Sequence, residues 1–543
     1  MRFPRRLSII AAACIATLAG AREPAVKLPD IGSSAAAIMS PQDMHDYGAA
    51  MLQEMRAYNM VLDDALLNDY INSLGWRLVA NSDRPDMSFT FFIVRDEQIN
   101  AFAAPGGFVA ANAGLFTAMQ TEDELAGVLA HEISHVQQQH ILRAFEDTKK
   151  MSVPIMLGML GVLVASAHRS DDAGMAAVMT GTSIIQQRQI NFTRNDEAEA
   201  DRVGIQTLAR SGFDPMAMAG AFQTLQKVMR VNGVDVPEFL LDHPLDTKRI
   251  ADAKARAAQL EGEAAEARKK NQTTAADVAQ IGANLLPQLK PAIAAPSPAA
   301  NAINNGEPYF ELMRERARVL SAGSSTAMRA YYADNLRDDK TFDTTANRYG
   351  YALALVQSRE PKLAVAELKK LTAQQPTSSV LRLALAHAED QSGSPADAMK
   401  VYEQLSSDFP GNRAVTLSFA DALLAQADGK SAQRALGLLR PLVERYSDDP
   451  DLQKSYGRAN QLAGDKVRAA EAYAEAAYLT GHAEDALNQL KALSKQADLT
   501  YYQRSRIDAR ITQLTPAVLN MRKRGTDAPP DSLMPAFSCC ERH

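Results

Sequence analysis

The run His131-Glu132-Ile133-Ser134-His135 sets two imidazoles four residues apart, and a helix is the regular structure that turns residues at that spacing toward one point. The flanking sequence supplies the helix. Thr121 and Glu124 stand as a Thr-x-x-Glu capping box at its start, and Leu125, Val128, Leu129 and Val136 give it an apolar stripe. A fold built around this segment must bury one side of the helix and leave both histidines facing a common focus. With 9 His in 543 residues, such a pattern arises by chance on the order of once in a hundred chains of this kind. The bland alternative is an ordinary solvated helix face.

Two neutral imidazoles suit zinc. Glu132 is rotated about a third of a turn from His131, which places it beside a metal rather than on it. Zinc draws the pKa of a bound water towards ~7, so Glu132 there can take the proton and pass it to a leaving amine. A catalytic zinc needs a third protein ligand and an open position. The segment Arg194-Asn195-Asp196-Glu197-Ala198-Glu199-Ala200-Asp201 offers one. Glu197 and Asp201 lie one helical turn apart; Glu197 is assigned to the metal and Asp201 to the outer position that orients a ligand histidine. Glu199 faces elsewhere on the same helix. Spacing alone also allows this acidic run to be a solvated face. One zinc ion per chain follows. His140, five residues past His135, falls off the ligand face and reads as structural, and His45, His168, His387 and His482 have no constellation around them.

The net charge of −6 gives no sign of a nucleic-acid binder. Arg2, Arg5 and Arg6 precede the short apolar run Leu7 to Gly20, and Ala19-Gly20-Ala21 is a small-x-small cleavage site. Residues 1–21 therefore read as a signal peptide, with an uncleaved anchor as the alternative, and the destination reads as a bacterial periplasm. Cys14 leaves with that segment. Cys539 and Cys540 are adjacent in the tail, so no disulfide framework staples the fold.

Along the rest of the chain, residues 41–80 carry helical apolar spacing, Phe89 to Val94 and Phe108 to Asn112 read as strands, and Pro105-Gly106-Gly107 reads as a turn. Phe108 to Asn112, just ahead of the metal helix, is the candidate edge for an extended peptide substrate. Two uncharged Met/Gly/Leu-rich runs within 151–185 are too short to span a bilayer. They read as a buried helical hairpin, or else as a flap or hairpin that touches a membrane surface or an unfolded client. Residues 261–306 turn Ala- and Pro-rich, as a linker or insertion does. From 307 to 514 a 34-residue interval recurs: Pro376 and Pro410, Ala364 and Ala398, Ala435 and Ala469. That period predicts tetratricopeptide-like helix pairs, with one interval stretched by Ala427-Asp428-Gly429-Lys430; a generic helical bundle is the alternative. Residues 515–543 read as a disordered tail. The fold class expected is mostly α: an α+β zincin-type metallopeptidase domain with a small sheet over 40–260, then the α-helical repeats.

These residues carry a resemblance. His-Glu-x-x-His followed by Glu197-x-x-x-Asp201 resembles the zinc metallopeptidase family typified by the CAAX prenyl protease. Tyr70 to Gly75, Asn100 to Ala103, Pro105-Gly106-Gly107 and Asp242-His243-Pro244 with Arg249 soon after are similar to its periplasmic branch, as is a repeat half following the peptidase half. The resemblance implies that Glu197 is the third ligand. It also implies that His243 reaches the cleft as a fourth ligand or lid, where it would displace the catalytic water and keep the enzyme latent. A structural histidine ahead of a proline turn is the other reading of His243. For partners, the resemblance implies unfolded or misassembled outer-membrane proteins as substrates. It also implies docking to the β-barrel assembly machinery through the repeats.

Two functions compete at this stage. One is a zinc-dependent endopeptidase that degrades misfolded or stalled envelope proteins and assists their assembly. The other is a non-proteolytic, chaperone-like adaptor that uses the repeats. The intact His131-Glu132-x-x-His135 favours the first.

Overall fold

Ser40 accepts the Asp43 amide while Asp43 reaches back to the Ser40 backbone, and this reciprocal cap with Pro41 behind it starts helix α1 (Pro41–Ala57). The helical spacing read across 41–80 is broken in the middle. Asn59 takes a left-handed φ of 56°, Val61 pairs with Val94, and Asp64 accepts the Leu67 amide to restart the chain as α2 (Ala65–Ala80). The computed structural model describes residues 40–143, 194–232, 239–240, 243–263 and 309–527. The segments 1–21, 151–185 and 528–543 lie outside the described residues, as does the linker expected at 261–306 beyond residue 263.

The three strands are β1 (Thr90–Val94), β2 (Ala101–Ala104) and β3 (Phe108–Asn112), in the order β1-β3-β2. β3 runs parallel to β1 and antiparallel to β2. Gly106 and Gly107 close the β2–β3 turn with φ of 84° and 83°, and a Cβ on Gly107 would fall 2.1 Å from the Ser88 carbonyl oxygen. Phe108–Asn112 is therefore the central strand and is not the free edge expected from the sequence. Its residues are buried on both faces, and both of its edges are taken by ladder bonds. The outer edge of β1 is covered in part by Met60 to Leu62, through the Leu62 amide to Ile93 and the Arg95 amide to Met60. Among the described residues the edge without a strand partner is that of β2, which packs against the metal helix.

After α3 (Ala113–Ala118) comes α4 (Glu122–Gln137). Thr121 accepts the Glu124 amide as expected, but the Glu124 carboxylate returns to the Gln120 amide, one residue short of a closed box. Leu125, Val128, Leu129 and Ile133 bury α4 in the core. Helices α5 (194–210), α6 (Ala217–Asn232) and α7 (247–263) complete this half. α4 meets its neighbours closely. A Cβ on Gly127 would lie 3.1 Å from Met218 Cα on α6, and one on Gly204 of α5 would lie 3.2 Å from the Ala130 carbonyl.

Helix α8 (Tyr309–Ser321) leads into helical hairpins. They pair Thr345–Gln357 with Pro361–Gln374, Ser379–Gln391 with Pro395–Asp408, Arg413–Ala425 with Gly429–Arg445, and Pro450–Ala463 with Lys466–Leu479. Two backbone devices recur every 34 residues and fix the register. Thr344, Ser378 and Asn412 cap the first helices, and Arg359, Gly393 and Ala427 take left-handed φ of 62°, 84° and 55° where those helices end. The stretched interval is not in the turn at 427–430. Gly429–Arg445 is 17 residues long where its counterparts have 14, so the extra residues extend the second helix. The buried alanine equivalent to Ala364 and Ala398 is Ala432. The last helix, Tyr501–Asp527, runs past 514 with Leu514 and Val518 buried, so the chain stays helical beyond the tail boundary expected there. Among the described residues no helix is long and apolar enough to cross a membrane.

The hairpins fold back onto the first half. Tyr309 stacks near Tyr70, with ring centroids 5.6 Å apart, Arg413 reaches Asp69 at 3.1 Å, and Gly481 abuts Gln53 and Ala57 of α1. The firmest tie is Arg316, which donates to both carboxylate oxygens of Asp64 at 2.7 and 2.6 Å and to the Tyr349 hydroxyl at 3.0 Å. Burial pushes the Asp64 carboxyl up, but Arg316 beside it wins and holds it below the usual range. Arg316→Ala would leave the half-buried Asp64 carboxylate with its Leu67 amide but no cation, which costs about 1–3 kcal/mol. We expect a clear fall in the thermal midpoint of the whole chain; a midpoint unchanged within a degree would show that this pair does not join the halves.

Candidate metal centre

α4 carries His131, Glu132 and His135, all buried, with His131 at 0% exposure. α5 crosses it at the Gly204–Ala130 approach and brings Glu197 and Asp201 alongside. His243 comes from the segment that enters α7, with its ring stacked on Phe239 at a centroid distance of 4.7 Å.

Four donor atoms converge, one from each of His131, His135, Glu197 and His243. His131 Nε2 lies 3.0 Å from His135 Nε2, 3.4 Å from Glu197 Oε2 and 3.3 Å from His243 Nδ1. Glu197 Oε1 lies 3.3 Å from His135 Nε2 and 2.8 Å from His243 Nδ1. A tetrahedral ion bound at about 2.0–2.1 Å sets its donors about 3.3 Å apart. The cluster therefore has the dimensions and the nitrogen and carboxylate chemistry of a zinc site. Glu132 stands outside this ring of donors, its Oε1 3.5 Å from His243 Nε2. The structure thus brings together every residue that the sequence singled out for the site.

Behind the donors are the braces. Asp201 Oδ1 lies 3.0 Å from His131 Nδ1, the nitrogen turned away from the cluster. Arg249 grips Asp201 through two bonds of 2.8 Å, reaches Glu197 Oε2 at 2.8 Å and packs over the Phe222 ring. On the far side His140 Nδ1 lies 2.8 Å from His135 Nδ1, and His140 Nε2 faces Glu199 Oε2 at 3.3 Å and Asp196 Oδ1 at 3.6 Å. Arg143 holds Glu199 at 2.8 Å.

Sequence reasoning named Arg249 only as a mark of the resemblance, without a role, and it read His140 as structural without foreseeing its contact with His135. The helix ends at Gln137, and Gln139, at a φ of 57°, turns the chain back so that His140 meets His135. In the acidic run the position left without a part was Glu199, which meets His140. Glu197, Glu199 and Asp201 alternate around α5, which lets one helix serve both ligand histidines.

The electrostatics follow from burial. Burial opposes a charge on His131, but Glu197 and then Asp201 outweigh it and raise its pKa to about 10. Burial pulls His135 down to about 3 against the pull of Glu197, and the charge on His131 adds to the effect. Burial would raise the Glu197 carboxyl, but the imidazoles around it, His131 foremost, hold it far below the usual carboxylate range. Without an ion, then, the Glu197 and Asp201 carboxylates favour the charged form of His131 at neutral pH.

Comparison with known proteins gives a consistent picture. The family model for peptidase family M48 matches residues 65–257. A β-barrel assembly-enhancing protease of Yersinia pestis is 31% identical over 487 residues, covering 90% of this chain and 91% of its own. The Escherichia coli (strain K12) protein of the same name is 31% identical over 513 residues, covering 93% and 95%. A mitochondrial metalloendopeptidase of Schizosaccharomyces pombe is 26% identical over 207 residues, covering 38% of this chain and 55% of its own.

The raised His131 value has two consequences. Its pairing with Glu197 stabilises the ion-free fold fully below the ordinary pKa of 6.5 and fades as pH rises through about 10. A divalent ion taken up by these donors must also displace that proton. Zinc titrations at pH 7 in two buffers of different ionisation enthalpy should show close to one proton released per ion; release of none would contradict this charge assignment.

Proposed function

The chain belongs to peptidase family M48 and is a metallopeptidase, and from that premise we propose that it is a zinc-dependent endopeptidase of the bacterial periplasm that degrades misfolded or stalled outer-membrane proteins and assists their assembly. The observation that carries the zinc reading is the convergence of His131, His135 and Glu197 at donor separations of 3.0–3.4 Å. Relatives named for enhancing β-barrel assembly, aligned over nine-tenths of the chain, support the substrate class. The role proposed for the hairpins is docking to the β-barrel assembly machinery.

In this reading His131, His135 and Glu197 would hold one zinc ion, whose Lewis acidity would make a water in the cleft easier to deprotonate. Glu132 takes the water's proton and hands it to the leaving amine. Asp201 keeps His131 turned so that Nε2 faces the ion, and Arg249 keeps Asp201 in place. The open edge of β2 accepts the substrate backbone as an added strand, which pairs main chain with main chain and asks little of the side chains. That suits cleavage of unfolded clients. His243 fills the fourth position of the cluster, so the enzyme rests latent until that side chain leaves.

Two substitutions test this. Glu132→Gln should lower cleavage of an unfolded barrel protein by about 10²–10⁴-fold while zinc stays at one per chain. Unchanged cleavage, or envelope phenotypes fully rescued by the inactive variant, would favour the adaptor function instead. His243→Ala should raise basal cleavage several-fold in a folded protein, and lower or equal activity would remove His243 as a lid. Glu197→Ala, or chelation, should strip the zinc.

A further inference from the structure

We propose that His140 is a positioning residue for the metal centre: it fixes the tautomer and tilt of His135 through a hydrogen bond between the two Nδ1 atoms and relays that bond to Glu199. The inference rests on the zinc reading above and extends it to residues outside the donor set.

The argument begins with the direction of His135. Its Nε2 faces His131 Nε2 and Glu197 at 3.0 and 3.3 Å, so the lone pair offered to an ion is on Nε2. A neutral imidazole with its lone pair there carries its hydrogen on Nδ1. That hydrogen points at His140 Nδ1, 2.8 Å away, which must accept it and therefore carry its own hydrogen on Nε2. His140 Nε2 faces Glu199 Oε2 at 3.3 Å, with Asp196 Oδ1 at 3.6 Å as the next acceptor. Arg143 Nη2 then sits 2.8 Å from Glu199 and 3.5 Å from Asp196 and ends the chain. Each donor meets one acceptor, and the order runs one way, from His135 to Arg143.

The backbone supports the same reading. Gln139 holds a left-handed φ of 57°, a conformation that disfavours side chains other than Gly, Asn and Asp. Strain of this kind persists where surrounding contacts impose it. Here it ends α4 and brings His140 back against its own ligand helix. A straight continuation would have carried His140 around to another face.

The two ligand histidines are thus braced in parallel but unequally. His131 meets a carboxylate directly, and Arg249 backs that carboxylate. His135 meets an imidazole, and the carboxylate with its arginine stands one ring further out. Outer partners of this kind typically account for 10–100-fold in metal affinity. Direct contact between two unprotonated nitrogens would instead repel, so the relay has to keep its direction for His135 to stay in place.

The test is zinc affinity of the full-length chain, measured by competition with a chromogenic chelator, together with the cobalt-substituted absorption spectrum and the melting temperature of the metal-free protein. His140→Ala should weaken zinc binding about 10–100-fold and shift the cobalt bands while leaving the metal-free melting temperature in place. His140→Asn, whose amide oxygen can stand where Nδ1 stood, should recover most of that affinity. Glu199→Gln, at a more exposed position, should produce a smaller loss in the same direction. Wild-type zinc affinity within about twofold in His140→Ala would overturn the inference. So would a loss that His140→Asn does not restore and that travels with a lower metal-free melting temperature, since that is what a merely structural histidine gives. A wild-type chain that takes up no zinc at all would sink the zinc reading itself, a failure distinguishable from the other two.

Discussion

Placing the Glu197 carboxylate inside the protein is the step on which the rest of the site depends. A carboxylate with 3% of its residue surface exposed is costly unless it is paired, and the pairing here uses nearly every charged or titratable group in reach. His131 takes up a proton to meet it, Arg249 lies against its second oxygen, and His243 closes on the first. A divalent ion can replace much of this compensation at once. The ion-free cluster is therefore preorganised, with its donors already spaced for a small tetrahedral ion and only a proton to be expelled.

Holding Glu197 there requires α4 and α5 to approach closely, and the means is the absence of side chains. Gly204 lets α5 sit against the Ala130 carbonyl, and Gly127 lets α6 sit against α4. The helices are then kept in place from outside. α2 packs on β1 and α4, and α2 is also the helix whose cap is bound by Arg316 and whose Asp69 is bound by Arg413. A single apolar core runs from α2 and the sheet through α4 and α6 into the hairpins as far as Ala459. The hairpin half is in this sense the outer wall of the peptidase half.

Much of this was legible in the sequence, and the reasons are local. A 3.6-residue period, a Thr cap and two histidines four apart needed no tertiary information to place α4 and its chemistry. The 34-residue period was equally readable, although Ala435 was the wrong marker because the extra residues fall inside Gly429–Arg445 rather than in the turn before it. What escaped depended on the chain reversing or pairing at a distance. The break at Gln139 has no Gly or Pro to announce it, so the contact of His140 with His135 was not foreseen. The strand order was hidden for a similar reason. Both segments are apolar in sequence and differ in burial: Phe108–Asn112 is buried throughout, as a central strand is, whereas Phe102 and Ala103 in the middle of Ala101–Ala104 are only half-buried.

That exchange of edge for centre bears on latency. The Phe239 amide donates to the Ile99 carbonyl, just before the open strand β2 begins, and the same Phe239 ring carries His243. One short segment therefore touches both the start of the edge that the proposed substrate would extend and the last open position of the proposed metal centre. Its hold on the first is a single 3.3 Å bond, weaker than the ladder an incoming strand would form along β2. Its hold on the second is a histidine at 2.8 Å from a carboxylate already satisfied by Arg249. The segment is also anchored by Phe239, which is 1% exposed in the apolar core, so moving it would lift that ring and give up both contacts together. On the proposed reading, a backbone that pairs along β2 would compete for the first contact and thereby loosen the second. Engagement of an extended client and exposure of the metal would then be one event, which is a sensible arrangement for a protease that must spare folded neighbours.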